Sequence, residues 1–481
     1  MRPFQQNKTA SFFALLSLPC TAMGFALSIQ ISALSWILTT QYKLDIHDVG
    51  LVWAAGPLAG ILGQVIIGLV SDRVWFWNGR RRPFILIGGV LATLMLLALP
   101  NLDIVSSSLG VGGILGVAIA VALMLDLAIN VSFNPTRCII ADVTEKGDER
   151  TKGYTWMQSI SGTFGVLAYA VGAVFGNYVL IYAGAVIVLL FSIVPTLFIT
   201  EPATLEPEDP DPGMAATENA PVSKASPNTS LLSILIAIRP LWAFLVYDIY
   251  AMGRRLAGIE PANYYAEWAC VAVTVLLVIQ ALLEKKRGDG SGLAEFRKVI
   301  AAHSFSWVGI QTTFVFLFAY LQQALPDLSD LDLGRVGSMS FLVLNAVGAL
   351  LPALVLMPLA HRIGRVHTHA ACLAFMTAGY LGLYWFGTGP LSIYLLMAVV
   401  GIGWAAMVSL PFAIVSQKVS QASMGLFMGL FNLSVVLPQL VVSLGVALLI
   451  SRAPDKNIIF AVSAASLALS TIAWSFVRED E

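Results

Sequence analysis

Runs of about 20 apolar residues recur along the whole of this 481-residue chain, and few folds accept them. A bilayer core about 30 Å thick is crossed by about 20 residues of helix. In lipid each backbone N–H and C=O must be satisfied inside the segment, so such runs become helices. Their length excludes buried strands. Spans fall near residues 12–38, 49–70, 83–100, 109–132, 155–176, 179–199, 231–252, 265–283, 299–323, 336–359, 368–387, 391–415, 423–450 and 458–477. The expected fold class is an all-α polytopic membrane protein with about 14 spans. Composition agrees: 11% of residues are charged, against roughly 25% in a soluble domain.

Charge decides orientation by loop rather than by sum, since the net charge is only -1. Placing the N-terminus inside puts "SDRVWFWNGRRRP", "TEKGDERTKG", "EKKRG", "HRIGR" and "SQK" on the cytoplasmic side, where Lys and Arg gather. Both termini are then cytoplasmic, in the cell membrane. No basic tail is present, so nucleic acid is not an expected partner. Cys20, Cys138, Cys270 and Cys372 lie in or beside apolar runs, outside any CxxC pair, and read as packing residues. The first apolar stretch is long enough to be the first span and is not read as a cleaved signal. Phosphate-binding loops, HExxH and nucleophile-triad signatures do not occur, so an enzyme is not expected, nor a metal or cofactor.

Residues 201–230, "EPATLEPEDPDPGMAATENAPVSKASPNTS", are polar and Pro-rich and read as a disordered cytoplasmic linker. Six spans precede it and eight follow. The organisation expected is a six-helix bundle over 1–200, the linker over 201–230, two extra helices over 231–292, and a second six-helix bundle over 293–481. "GLVSDRVWFWNGRRRP" and "PLAHRIGR" are short basic turns at matching positions of the two bundles. Such parallel repeats are found in transporters that bind substrate between halves at mid-membrane.

Asp126 is the residue that lipid tolerates least. A carboxylate at mid-membrane costs about 2.5–3.5 kcal/mol even on the lenient insertion scale. It follows a long apolar run, in "LDLAINVSFNPTRCIIAD". Arg137 lies eleven residues on, roughly 16 Å of helical rise. Eleven steps end about 20° past three full turns, so Asp126 and Arg137 share a face with Asn130 and, within tolerance, Asn134. That polar stripe must look into the bundle or a watery cavity. Pro135 is placed to kink it. Withdrawal from water favours the protonated form of a carboxyl group, which suits a proton carrier. The competing readings are an aspartate snorkelling at a helix end and an arginine anchoring at the cytoplasmic surface.

Among the other polar residues inside spans, Gln30, Gln158, Tyr169, Gln311, Asn345, Asn432 and Gln439 are candidates for contact with a carried substrate. They could hold a polar substrate, or equally bond helix to helix. Trp53 and Trp307 could stack on a substrate face but read first as packing. Asp248, with Arg254 and Arg255 close by, reads as an interfacial cluster. His303 and His361 read as packing or anchoring residues near cytoplasmic ends.

Asp72-Arg73, five residues, then Gly79-Arg80-Arg81-Arg82-Pro83-Phe84 resembles the SDR-x5-GRRRPF loop of the plant sucrose/proton symporters and their relatives. These belong to the glycoside–pentoside–hexuronide:cation symporter branch of the major facilitator superfamily. "VWAAGPLAG" (52–60) is similar to the family's W-x-x-G-P-x-x-G. The stretch through Asp126, Ala128, Asn130, Pro135, Arg137, Ala141 and Asp142 is similar to D-x-A-x-N-x4-P-x-R-x3-A-D. "GLFMGLFNLSVVLPQLVVS" (425–443) and, more weakly, "VLAYAVG" (166–172) match further family stretches. The chain departs from the family at "FLFAYLQQAL", where Gln322 and Gln323 stand near the usual charges, and in its two extra central spans.

The resemblance implies a major facilitator fold, a bacterial relative in an inner membrane, and a monomer. It implies symport of protons with a disaccharide, sucrose or an α-glucoside such as maltose, by alternating access. Asp126 falls on the family's protonatable aspartate. Arg137, Asn130, Gln30, Gln158, Tyr169, Gln311, Asn432 and Gln439 become candidate sugar ligands. Asp72, Arg73, Gly79, Arg80, Arg81 and Arg82 become a gating loop, with Asp72 latching onto an arginine across the bundle. The alternatives are a sodium-coupled or uncoupled sugar carrier, or a non-transporting sensor or scaffold. Sodium-coupled relatives generally carry paired aspartates in the second span, which here has no carboxylate before Asp72.

The linker has too little apolar surface to pack. Deleting most of 206–226 should therefore leave membrane insertion and sugar uptake unchanged. Normal insertion with loss of uptake would refute the linker reading.

Overall fold

In the computed structural model the chain is described over residues 3–60, 74–77, 79–110, 112–145, 148–202, 231–259, 263–284, 291–418 and 424–478. Among these residues helix dominates and no strand forms. Ten helices among the described residues are long and apolar enough to cross a membrane. We label the main helices α1 (Ala10–Thr40), α2 (Ile46–Trp53), α3 (Arg82–Ala98), α4 (Ile114–Val143), α5 (Asp148–Phe175) and α6 (Asn177–Phe198). The extra pair is α7 (Trp242–Leu256) and α8 (Tyr265–Leu282). The rest are α9 (Ser291–Ala324), α10 (Asp330–Leu351), α11 (Arg365–Phe386), α12 (Pro390–Lys418), α13 (Met424–Val441) and α14 (Ile458–Trp474).

Local chemistry sets several ends. Thr9, Asp45 and Ser329 each take up an orphan N–H in the first turn of α1, α2 and α10, from Phe12, Asp48 and Asp332. α2 turns at Ala54 and runs on as helix over 55–60. Prolines lie inside α1, α4, α6, α12 and α13. α13 passes Pro438 and widens into a π-helical turn over Val442–Val446 before resuming to Arg452. Outward faces stay apolar, as where α6 exposes Val179, Tyr182, Val186 and Leu190 on one stripe.

α1 packs on α5 and α6, and α3 on α4 and α6. In the second bundle α9 packs on α14, α10 on α12, and α11 on both α12 and α14. The bundles meet where α5 crosses α10, α1 crosses α9 and α10, and α2 meets the end of the helix begun by α13. Named contacts put much of this meeting at the end away from the chain termini, here the far end. Ser35 donates to the Val315 carbonyl at 2.7 Å, Trp36 to the Asp330 carbonyl at 2.6 Å, and Ser338 to Asn177 at 2.8 Å.

The extra helices form a hairpin against the second bundle, α7 along α13 and α8 along α9. α7 also touches the first bundle, since Tyr247 and Ala251 share a small core with Ala54, Leu440 and Leu444. Arg255 pairs with Asp48 at 3.1 Å and lies 2.7 Å from His47 Nε2. This corrects the expected interfacial cluster. Asp248 is buried in the middle of α7, Arg255 turns to α2, and Arg254 approaches Glu267 at 4.0 Å.

The hairpin tip tests the number of crossings. Gly258 has φ 66°, so a cysteine there would be strained, whereas Ile259 is 61% exposed. Ile259→Cys should react with an impermeant thiol reagent added from outside. Reaction only from the cytoplasmic face would remove two of the about 14 spans.

Candidate functional site

Asp126 sits on α4, facing α1 and the end of α2, and is 6% exposed. Gln30 of α1 donates its Nε2 to Asp126 Oδ2 at 2.9 Å. Gly56 closes the third side. A Cβ there would lie 3.1 Å from the same oxygen, so a larger residue would crowd the carboxyl group. Among the described residues no cation stands within ion-pairing distance of Asp126. A hydrogen bond to a charged group contributes about 1.5–3 kcal/mol, close to the 2.5–3.5 kcal/mol cost of inserting the charge. The amide bond therefore roughly offsets the cost of the charge, with little surplus. The snorkelling reading fails, because α4 continues helical for 17 residues to Val143. Gln30, a candidate sugar ligand, is committed to Asp126 instead.

A second polar centre joins the two bundles. Tyr169 of α5 is buried, with its hydroxyl in hydrogen-bonding reach of Ser28 on α1 and Asn345 on α10. Asn345 Oδ1 accepts from Trp404 Nε1 at 3.1 Å. Rings continue the path: Tyr169 to Phe341 at 5.9 Å, Phe341 to Phe314 at 5.4 Å, Phe314 to Trp404 at 5.2 Å, and Trp404 to Trp307 at 6.3 Å. Gln439 of α13 donates to Gln311 of α9 at 3.2 Å. These residues combine apolar ring faces with amides and a hydroxyl, the surface a sugar ring requires. Trp404, Phe314 and Phe341 were not singled out in the sequence, because one aromatic in an apolar run looks like any other.

The other candidates lie apart from these two centres or are held within their own helices. Arg137 is exposed, with its guanidinium 4.3 Å from the Phe133 ring centre and in reach of the Cys20 thiol. Among the described residues it makes no ion pair. Gln158 is exposed and lies on the α5 stripe of Tyr169, Gly165 and Gly162, where a Cβ on Gly162 would meet open space. Asn432 is half-buried two turns from Gln439, toward the terminal end. Asn130 turns back and donates to the Asp126 carbonyl at 2.8 Å, and the Asn134 side chain lies outside the described residues. Trp53 donates to Ser35 at 2.8 Å and His303 stacks on Phe431, so both pack. Gln323 is tied to Pro454 and Lys456 at the far end, away from this centre.

The basic loop is organised around a residue read from sequence as the start of the linker. Glu201 accepts the backbone N–H groups of Arg80, Arg81 and Arg82 at 2.8, 2.9 and 2.7 Å. Three amides at the start of α3 make an anion cradle, and Glu201 fills it. A Cβ on Gly79 would approach Glu201 Oε1 at 2.7 Å. Arg81 pairs with Asp142 of α4 at 3.1 Å, and Arg82 donates to the Thr196 carbonyl at 2.7 Å. Asp72 and Arg73 lie outside the described residues, as do positions 203–230 of the linker.

The family model for the Major Facilitator Superfamily matches residues 18–443. "Sucrose transport protein SUC4" of Arabidopsis thaliana is 24% identical over 82% of this chain and 75% of its own length. "General alpha-glucoside permease" of Schizosaccharomyces pombe is 31% identical over 35% of this chain, a match that spans 33% of that protein. Among solved structures, "Inward open conformation of the xylose transporter XylE from E. coli" covers 98% of this chain and 97% of that one, with TM-score 0.62 and 13% identity. "Crystal structure of nucleoside transporter NupG" covers 98% of this chain and 100% of that one, with TM-score 0.61 and 13% identity. At these identities the structural likeness speaks for the fold alone.

The Glu201 cradle yields a stability test. Glu201→Gln removes the charge from three charge-assisted bonds and should cost about 1.5–3 kcal/mol. Gly79→Ala should displace the same carboxylate, so the double variant should cost little more than either single one. Thermal unfolding of the protein in detergent measures this. Full additivity would show that Gly79 and Glu201 act independently.

Proposed function

The chain is a member of the major facilitator superfamily, a multi-pass membrane transporter rather than an enzyme, and we propose that it carries a disaccharide together with a proton. Sucrose or an α-glucoside such as maltose is the substrate this reading favours, because its relatives include sucrose transport proteins and an α-glucoside permease. The observation that carries the coupling is the Asp126–Gln30 pair: a carboxyl group withdrawn from water and held by an amide, with no ion-pairing cation among the described residues.

In this reading the neutral acid is the form that travels. Protonated Asp126 needs no counter-charge, so the empty or sugar-loaded carrier can rearrange around it. Sugar hydroxyls meet the exposed Gln158 and Arg137 and the half-buried Asn432, and Tyr169, Trp404 and Trp307 offer ring faces. Arg137 stands three turns from Asp126, so the two communicate through sugar or water rather than by direct pairing. Far-end contacts such as Ser35–Val315 and Trp36–Asp330 support a carrier closed there and accessible from the terminal end. The opposite state requires these bonds to part. Basic loops on the terminal side favour both termini in the cytoplasm. A lone carboxyl group facing an amide donor suits a proton better than sodium, which takes several oxygen ligands.

Asp126→Asn should abolish accumulation of labelled sucrose or maltose against a gradient in vesicles, while exchange across equal concentrations persists. Proton-driven accumulation at the normal level in that variant removes Asp126 from the mechanism. Arg137→Lys keeps the charge and loses the planar fork. Uptake should fall about tenfold or more, the effect of one lost charge-assisted bond. Normal uptake with lysine returns Arg137 to an anchoring role.

A further inference from the structure

A cavity of about 670 Å³ lies away from Asp126, between the accessory hairpin and the second bundle. α7, α8, α9, the end of the helix begun by α13, and α14 all line it. Its walls are apolar, and Trp268, Leu449 and Leu469 at its edge are each more than half exposed on the outer surface of the bundle. It therefore opens sideways, toward lipid. Along α8 the lining runs from Tyr264 to Val275, eleven steps or roughly 16 Å of rise. That is about half of a 30 Å hydrocarbon core, the depth of one leaflet.

The mouth of the cavity is polar, and it lies at the far end. Arg452 ends its helix there, exposed, with its guanidinium 5.4 Å from the Tyr264 ring centre. Among the described residues it makes no ion pair. Glu267 also lines the cavity. Its two carboxylate oxygens are shielded from solvent and accept no hydrogen bond among the described residues, and Arg254 stands only at 4.0 Å. One end thus offers a cation, an acceptor carboxylate and the interfacial pair Tyr264 and Trp268, and the rest offers a dry slot one leaflet deep.

We propose that this cavity is a phospholipid site: acyl chains fill the slot, the phosphate meets Arg452, and Glu267 accepts hydrogen bonds from the headgroup. The last contact selects headgroups that carry donors, an ammonium or hydroxyls, over the donor-free choline. The hairpin is then fastened to the second bundle by lipid as well as by side chains. This site does not depend on which sugar or ion the carrier moves.

Native mass spectrometry of the full-length protein released from mild detergent tests the assignment, with phosphatidylethanolamine, phosphatidylglycerol and phosphatidylcholine supplied in turn. The wild type should retain one phospholipid and bind the first two more tightly than phosphatidylcholine. Arg452→Gln should weaken retention about tenfold or more, the effect of losing one charge-assisted bond. Thr274→Trp, which fills the slot from α8, should abolish retention while sugar uptake persists, showing that the variant is folded. Equal retention by all three proteins, or no preference among headgroups, overturns the site. So does a groove-filling variant that converts a dimer to a monomer without losing lipid, since a second copy would then be the occupant.

Discussion

The core of a bilayer offers a polar group nothing to bond with, and the arrangement of this protein follows from that. Backbone groups are satisfied within helices. Serines and threonines inside the spans return their hydroxyls to carbonyls of the preceding turn, as Ser17, Thr21 and Thr93 do. Asp126 cannot be satisfied by its own helix. It requires Gln30 from α1 and room made by Gly56 from the segment after α2. Three helices are thereby fixed around one carboxyl group, and that group is left with a partner but, among the described residues, no counter-charge.

The polar groups divide into two sets. At the far end they are paired across the bundles, Ser338 with Asn177 and Trp36 with the Asp330 carbonyl, and from the hairpin to the first bundle, Arg255 with Asp48. Toward the terminal end, Arg137 and Gln158 are exposed and Asn432 is half-buried. In the proposed reading the paired set closes one face and the other set meets the sugar. The loop before α3 is held separately, by Glu201 in its amide cradle and by Asp142 on Arg81. The hairpin adds a brace at the far end, because α7 packs on both bundles.

Much of this was legible in the sequence. Apolar runs gave the helices, and the three-turn spacing from Asp126 to Arg137 placed them on one face of α4. The helix itself outran its apolar run by eleven residues, because the polar stripe through Asn134 and Arg137 ended the hydropathy signal before the helix ended at Val143. Partnerships were not legible. Gln30 and Asp126 are 96 positions apart, and nothing local separates an amide that holds a carboxylate from one that holds a sugar. Glu201 looked like linker because its composition belongs with the residues after it, while its partners lie 119 to 121 positions earlier. Asp248 was read with its neighbours in sequence, yet helical geometry turns Arg255 to α2 and leaves Asp248 buried in the middle of α7.

The central claim is that sugar and proton cross together through Asp126. Adding sucrose or maltose to de-energised, weakly buffered cells that contain the protein measures this directly, by the pH of the medium. Prompt alkalinisation of the medium is expected with the wild type as sugar enters, and sugar entry without a pH change with Asp126→Asn. Sugar entry by the wild type with no proton movement, or entry that depends on sodium, would contradict it.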